Sequence, residues 1–320
     1  MKKVLFATTA LVASASFASA DIALSGMGEM GVFGGDAAAG APYTGNLQFH
    51  TDVDVTFKMS GQTDGGIEFG AVVDLDENGA FAPNTQGGEY LYVKGAFGTL
   101  TMGDTDGAYD FALTEVALAG GSLMDDETAH GGYNGNSGLD GAVTGYDGQI
   151  ARYDYAFGDF AFALSVELDD SGTGDPVLGV GAKYSAPIGD MTVGFGIGYQ
   201  TVTVGANDAS IVGASVNANF GNGFQAAINY SDQTDSGGIT TVGDSYTHWG
   251  VGVAYTMDAW TFAANYGSYD YATMTDEDGF GVVVNYDLGG GAVIQAGYGN
   301  TSPSGGTSYD TYSFGLSMSF

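Results

Sequence analysis

The groups best placed to act on charge in this chain are carboxylates two residues apart. Glu29 stands in ALSGMGEMGV (23–32), and Asp52 and Asp54 stand in QFHTDVDVTFKM (48–59). A second set, Asp104, Asp106, Asp110, Glu115, Asp125, Asp126 and Glu127, crowds a stretch without Lys or Arg. Confined carboxylates at this density either repel and keep protons or hold cations.

Basic partners are scarce. The chain has 6 Lys+Arg against 38 Asp+Glu, a formal charge of −32. Two of the six, Lys2 and Lys3, open MKKVLFATTALVASASFASA, whose charged start, apolar run and Ala18-Ser19-Ala20 end read as a secretory signal peptide, residues 1–20. Its removal leaves Lys58, Lys94, Arg152 and Lys183 in a domain of residues 21–320 with charge −34. Such a surface excludes nucleic acid as a partner, since counterion release needs basic groups, and favours small cations. Without cysteine there is neither a disulfide nor a thiolate site.

The elements that must carry these groups are strands. From Gln48 to Met59 the even positions are polar and the odd ones are mostly apolar, so the two sets face opposite sides of one strand. With 56 Gly and 5 Pro, helices are disfavoured, while 20 Tyr and 19 Phe suit strands. Sixteen such segments run at about 21–33, 47–60, 67–77, 89–96, 99–105, 149–156, 160–168, 177–186, 191–203, 209–220, 224–232, 245–256, 260–269, 279–288, 292–300 and 309–320. Short turns such as AFG (96–98), FGD (157–159) and GNG (221–223) alternate with longer Gly- and Asp-rich loops. An even strand count, an apolar face throughout and loops unequal at the two ends predict an all-β fold, a transmembrane antiparallel β-barrel of the outer-membrane type.

Phe97, Phe157, Phe160, Phe220, Phe224 and Trp260 flank the short turns, and Tyr199, Tyr230, Tyr266 and Tyr298 fall toward the other strand ends. Two aromatic belts fit two membrane–water interfaces. A soluble β-sandwich would alternate too, but with shorter strands and no such belts.

The chain resembles the general diffusion porins of Gram-negative bacteria, particularly the Rhodobacter type. The likeness lies in ALSGMGEMGV (23–32), FKMSGQTDGGIEFGA (57–71), VKGAFGTLTMGD (93–104), ARYDYAFGDF (151–160), YDLGGGA (286–292) and SFGLSMSF (313–320). The resemblance implies a homotrimer in the outer membrane, a water-filled pore for ions and small hydrophilic solutes, and a long third loop folded into the pore. Separately, Phe314, Leu316, Met318 and Phe320 alternate to the last residue, and the terminal Phe320 looks like the signal read by barrel-assembly machinery.

The loop of about 104–148 is the longest, and Phe111, Leu113, Val116 and Leu118 give it apolar material to pack. Alternation points Glu29, Asp52, Asp54 and Arg152 into the lumen as pore-wall residues, with Lys58, Lys94 and Lys183 also inward. Related porins carry arginines on the wall opposite the acidic loop; here Glu29, Asp52 and Asp54 stand in the corresponding positions. The expectation is a cation-preferring eyelet, acidic on both sides, with Arg152 near it. The three lysines, close to short turns, are expected below the narrow zone.

Other motifs carry less. GMGEMG (26–31) matches a dinucleotide fingerprint but lies within a strand with no helix following. DLDENG (74–79) and Asp125–Glu127 lack full calcium-loop spacing, although Ca2+ or another divalent cation on the acidic loops, or bridging to lipopolysaccharide, is a reasonable expectation. No cofactor is required. His50, His130 and His248 come with no nucleophile motif, so an enzyme is not expected. The alternative function is a solute-specific channel, with inward Tyr90 and Tyr92 meeting the solute.

Overall fold

The computed structural model describes residues 20–36, 45–77, 84–143, 145–146, 148–169 and 171–320. The leader through Ser19, the Asn78–Gly79 end of DLDENG and Asp147 lie outside the described residues.

Sixteen strands follow in chain order: β1 (Asp21–Gly35), β2 (Gln48–Gln62), β3 (Glu68–Glu77), β4 (Asn84–Gly95), β5 (Gly98–Asp104), β6 (Gln149–Phe157), β7 (Phe160–Glu167), β8 (Val177–Ile188), β9 (Met191–Val204), β10 (Asn207–Asn219), β11 (Phe224–Asp235), β12 (Tyr246–Met257), β13 (Trp260–Tyr271), β14 (Glu277–Gly289), β15 (Ala292–Pro303) and β16 (Tyr309–Ser319). Each pairs antiparallel with the next, and β1 pairs with β16 through Met30↔Leu316 and Glu29↔Ser317. The sheet is therefore a closed barrel without free edges, as the sequence pattern predicts. Among the described residues one short helix, α1 (Ala108–Ala112), stands in the long loop between β5 and β6.

Side-chain exposure follows the period of two. In β12, Trp249, Val251, Val253 and Tyr255 are exposed, while Tyr246, His248, Gly250, Gly252 and Ala254 are buried. Ile22, Leu24, Phe49, Leu91, Leu164 and Ile197 continue the apolar outer surface. In water such a surface would drive aggregation; against hydrocarbon it needs no cover. Phe97, Phe157, Phe160, Phe224 and Trp260 are exposed on it beside the short turns.

The long loop lies inside the barrel against its wall. Its outward leg starts at Ala108, whose N–H donates to Ser165 Oγ on β7 at 2.9 Å, and continues at Thr114, which donates to Ser215 Oγ on β10 at 2.9 Å. Near its tip, Gln295 Nε2 of β15 donates to Gly120 O and Asn285 Nδ2 of β14 to Gly121 O, both at 3.0 Å. The return leg runs back through Gly131, bonded to Thr301 Oγ1, to Leu139, whose N–H donates to Gln200 Oε1 of β9 at 2.7 Å. Inward amides thus satisfy backbone groups that a loop buried here would otherwise leave orphaned. Tyr109, Leu139, Val143 and Tyr146 of the loop close over Val177, Val202, Ile211 and Tyr246 of the wall.

So close a fit needs bare backbone on the wall. A Cβ on Gly252 would lie 1.8 Å from Val116 O, and one on Gly181 would lie 2.0 Å from Ala108 O. Overpacking of this kind costs about 1–3 kcal/mol. Gly252→Val is therefore expected to leave the barrel closed but lift the loop, giving new protease cleavage within residues 108–143. Cleavage no greater than in the parent protein would mean that the loop absorbs the extra volume.

Candidate functional site

With the loop packed against β7 to β16, the free side of the lumen is the wall of β1 to β6. Two cavities lie along it, of about 490 and 480 Å³, sharing Tyr90, Asp104, Thr105 and Asp106 in their linings. They are two stretches of one passage meeting at Asp104–Asp106. The stretch toward the long loops is lined by Asp74, Asp104, Asp106, Asp110 and Asp140, with no Lys or Arg in its described lining. The stretch toward the short turns adds Lys94, Arg152, Asp154, Tyr92 and Phe111.

The β1–β3 wall carries the other carboxylates. Register sets Glu29 opposite Asp52 and Met27 opposite Asp54. His50 Nε2 lies 3.3 Å from Glu29 Oε2, and Asp52, Asp54 and Asp76 can bring one oxygen each within 4.8 Å of one another. Among the described residues, the groupings able to hold a metal ion therefore fall on wall strands, whereas the sequence directs divalent binding to the loops. Asp76 and Asp74 had no place among the expected site residues, though the alternation of β3 signals both: they share the inward phase with Val72, opposite Lys58.

Two of the four basic residues, Arg152 and Lys183, are engaged by the loop. Arg152 Nη1 donates to Asp106 O at 2.6 Å, and its Nε lies 3.5 Å from Asp154 Oδ1. Lys183 does not sit below the narrow zone as expected. Its Nζ donates to Phe111 O at 2.7 Å and lies 3.7 Å from the centre of the Phe111 ring, with the Arg152 guanidinium 5.1 Å from the same ring. The error was to judge height from distance to the turn, when Lys183 rises along the wall to meet α1. Each cation–π contact contributes about 0.5–2 kcal/mol to holding α1 in place. Lys58 and Lys94 stay exposed on the inward faces of β2 and β4, and Lys94 stands in register opposite Glu68.

The loop acids divide into two groups. Asp104, Asp106 and Asp110 line the passage. Asp126 and Glu127 do not: both are buried against the wall, with Ser122 Oγ 3.0 Å from Asp126 Oδ2 and 2.8 Å from Glu127 Oε2, its single proton shared between the two carboxyls. Ser313 Oγ of β16 also donates to Asp126. Glu115 accepts from the Tyr133 hydroxyl within the loop. Asp125, at φ 48°, lies near enough to Glu29 and Asp52 for their charges to act on it; burial first, then Glu29, raises its carboxyl above the ordinary range.

His130 and His248 are structural. His130 Nε2 donates to Asn265 Oδ1 at 2.6 Å while its Nδ1 accepts from Gly132 N, and burial holds its pKa below the usual value. His248 Nε2 donates to Gly132 O at 3.0 Å.

Burial pushes Glu127 up to about 7. Asp140 rises to about 7 through burial and then the Glu167 charge, and Asp110 to about 7 through burial and then Asp106. Each holds its proton more tightly in the docked loop than in an unfolded chain. Docking therefore gains stability as pH falls from about 7 toward the ordinary carboxylate range near 4, and no more below it. Amide exchange in residues 108–143, corrected for its chemical rate, is expected to slow from pH 8 to pH 5, with Asp140→Asn flattening the trend. Protection independent of pH would contradict it.

The comparisons agree with this architecture. A sequence model described as Gram-negative porin matches residues 7–306. A porin of Rhodobacter capsulatus is 29% identical over 290 residues, covering 82% of this chain and 91% of that protein. A porin structure refined at 1.8 Å is similar with a TM-score of 0.69 at 23% identity, over 94% of this chain and 100% of that one. A substituted porin of Rh. blastica gives a TM-score of 0.64 at 20% identity, over 93% and 100%. A closed barrel with an apolar outer face, a polar passage and a family match over nearly its whole length has one reading: the chain belongs to the Gram-negative porin family, is a channel of the outer membrane, and is not an enzyme.

Proposed function

We propose that this porin is a general diffusion pore that passes small hydrophilic solutes and prefers cations. The observation that carries the reading is the unequal use of charge. Arg152 and Lys183 spend their donors on the loop backbone, while Asp74, Asp104, Asp106 and Asp110 line the passage. The stretch toward the long loops, where acids outnumber bases and no Lys or Arg is in the described lining, concentrates cations and repels anions. Asp52 and Asp54 extend that charge along the wall.

A solute-specific channel would need binding groups free to meet a solute. Tyr90 lines the passage, but the Tyr92 hydroxyl already donates to Glu68 at 3.2 Å. Flux that rises linearly with solute concentration accords with general diffusion; saturation would favour the specific channel.

The remaining parts of the reading follow the family. They are a cleaved leader over residues 1–20, assembly by the barrel-insertion machinery through the Phe320 end, a homotrimer, and acidic loops that meet lipopolysaccharide through divalent cations.

Selectivity is tested by the zero-current potential across a KCl gradient. The sign is expected to be that of potassium preference, and Asp52→Arg with Asp54→Arg is expected to reduce it while leaving the barrel closed. Chloride preference in the parent protein would refute the reading.

A further inference from the structure

Porin function leaves the Glu29–His50 pair unexplained. Register puts Glu29 directly opposite Asp52 on neighbouring strands, a like-charge pairing that destabilises a sheet. The side chains of Glu29 and His50 are 9% and 8% exposed, so both are more than nine-tenths buried. Three successive inward residues of β2 each leave a buried polar atom without a hydrogen-bond partner: His50 Nδ1, Asp52 Oδ1 and Asp54 Oδ1. No Lys or Arg forms an ion pair with this row among the described residues. Buried oxygens of this kind are costly unless a cation or a donor meets them.

The donor set narrows the kind of cation. Glu29, His50 and Asp52 offer one imidazole nitrogen and two carboxylate oxygens, all within 4.8 Å of one another. His50 Nε2 and Glu29 Oε2 are 3.3 Å apart, long for a charge-assisted hydrogen bond of about 2.7–2.9 Å. Two ligands bound at about 2.0–2.1 Å in a tetrahedral shell stand about 3.3 Å apart, which is the observed spacing. Calcium and magnesium take all-oxygen shells, whereas imidazole with carboxylate suits zinc and its first-row neighbours. The histidine is what separates this site from a merely acidic surface. Of the other two histidines, His130 has both ring nitrogens engaged under the loop and His248 is bonded to Gly132 O.

We propose that Glu29, His50 and Asp52 form a site on the pore wall for a divalent first-row transition metal such as zinc. Glu29 and His50 give a rigid pair across β1 and β2. The part-exposed Asp52 closes the shell from the lumen side, and water takes the fourth position. Occupancy places a positive charge in a row that otherwise repels anions and attracts cations, so metal binding lowers cation conductance.

The test uses the purified full-length barrel in detergent and in planar bilayers, with Zn2+ as the probe and Ca2+ as the contrast. Calorimetry is expected to show one saturable Zn2+ per chain and weaker Ca2+ binding, and micromolar-to-millimolar Zn2+ is expected to reduce potassium conductance. His50→Gln, checked for parental conductance in metal-free KCl, is expected to weaken Zn2+ binding roughly tenfold or more, as loss of even an outer-shell partner can. Asp52→Asn provides a second variant with the same expectation should His50→Gln fail to fold. Asp54→Asn, outside the triad, is expected to keep Zn2+ binding. Equal responses to Zn2+ and Ca2+, or Zn2+ binding untouched by His50→Gln and Asp52→Asn, would overturn the site and leave only screening by an acidic wall. Selectivity in metal-free KCl is read separately, so failure of cation preference and failure of the metal site are distinguishable.

Discussion

Every feature of this chain answers to one constraint: hydrocarbon offers no partner to a backbone N–H or C=O. A strand in lipid must be paired on both edges, and the pairing of β1 with β16 supplies the last pair of edges. Once closed, the sheet fixes which face of each residue meets lipid, because one step of register reverses every side chain. The exposed Ile22, Leu24 and Phe49 and the inward Glu29, His50 and Asp52 are two results of the same closure.

The same rule governs the interior. A loop laid along the inner wall hides its own backbone from water, so the wall must answer it group by group. Asn265 Nδ2 donates to Glu127 O at 2.8 Å, Asn285 and Gln295 hold Gly121 and Gly120, and Gln200 holds Leu139. Inward glycines leave room for that backbone to approach. The lumen is thereby split into two unlike halves. Strands β7 to β16 present glycine and amide to the loop, and β1 to β6 present carboxylates to the passage. The two strong cations of the middle of the barrel, Arg152 and Lys183, grip Phe111 and the loop carbonyls at the boundary.

Most of the architecture was legible in the sequence, since a period of two repeated over sixteen segments with turns of unequal length leaves little freedom. Strand ends moved by a few residues, and β4 starts at Asn84 rather than near 89 because Gly87 and Gly88 hide its alternation. The inward phase of Glu29, Asp52 and Asp54 was also visible, because Met30, Val53 and Val55 mark the opposite face. What the sequence could not reveal was the height of a long side chain or the burial of a loop carboxylate. Lys183 reaches up to α1, and Asp126 and Glu127 turn into the wall beside Ser122. Both depend on where the loop lies in three dimensions. The inward run of Gly252, Asn265, Asn285 and Gln295 held the one local hint, since amides and glycines on a buried face imply a backbone packed against it.

The loop acids and the wall acids differ in what neutralises them. Ser122 and Ser313 hydroxyls meet only Oδ2 of Asp126, while Glu127 and Asp140 hold their protons up to about 7, so these last two add less fixed charge to the lumen at neutral pH than their number suggests. The charge that an ion meets is therefore a subset of the acids, chosen by packing and not by sequence count. Leu123 reaches Gly31 and Gly315 at the loop tip, fixing Asp125 beside the Glu29–Asp52 row. Loop docking and pore electrostatics are thus one problem: each contact that seats the loop on β7 to β16 also decides which carboxylates remain to face the passage.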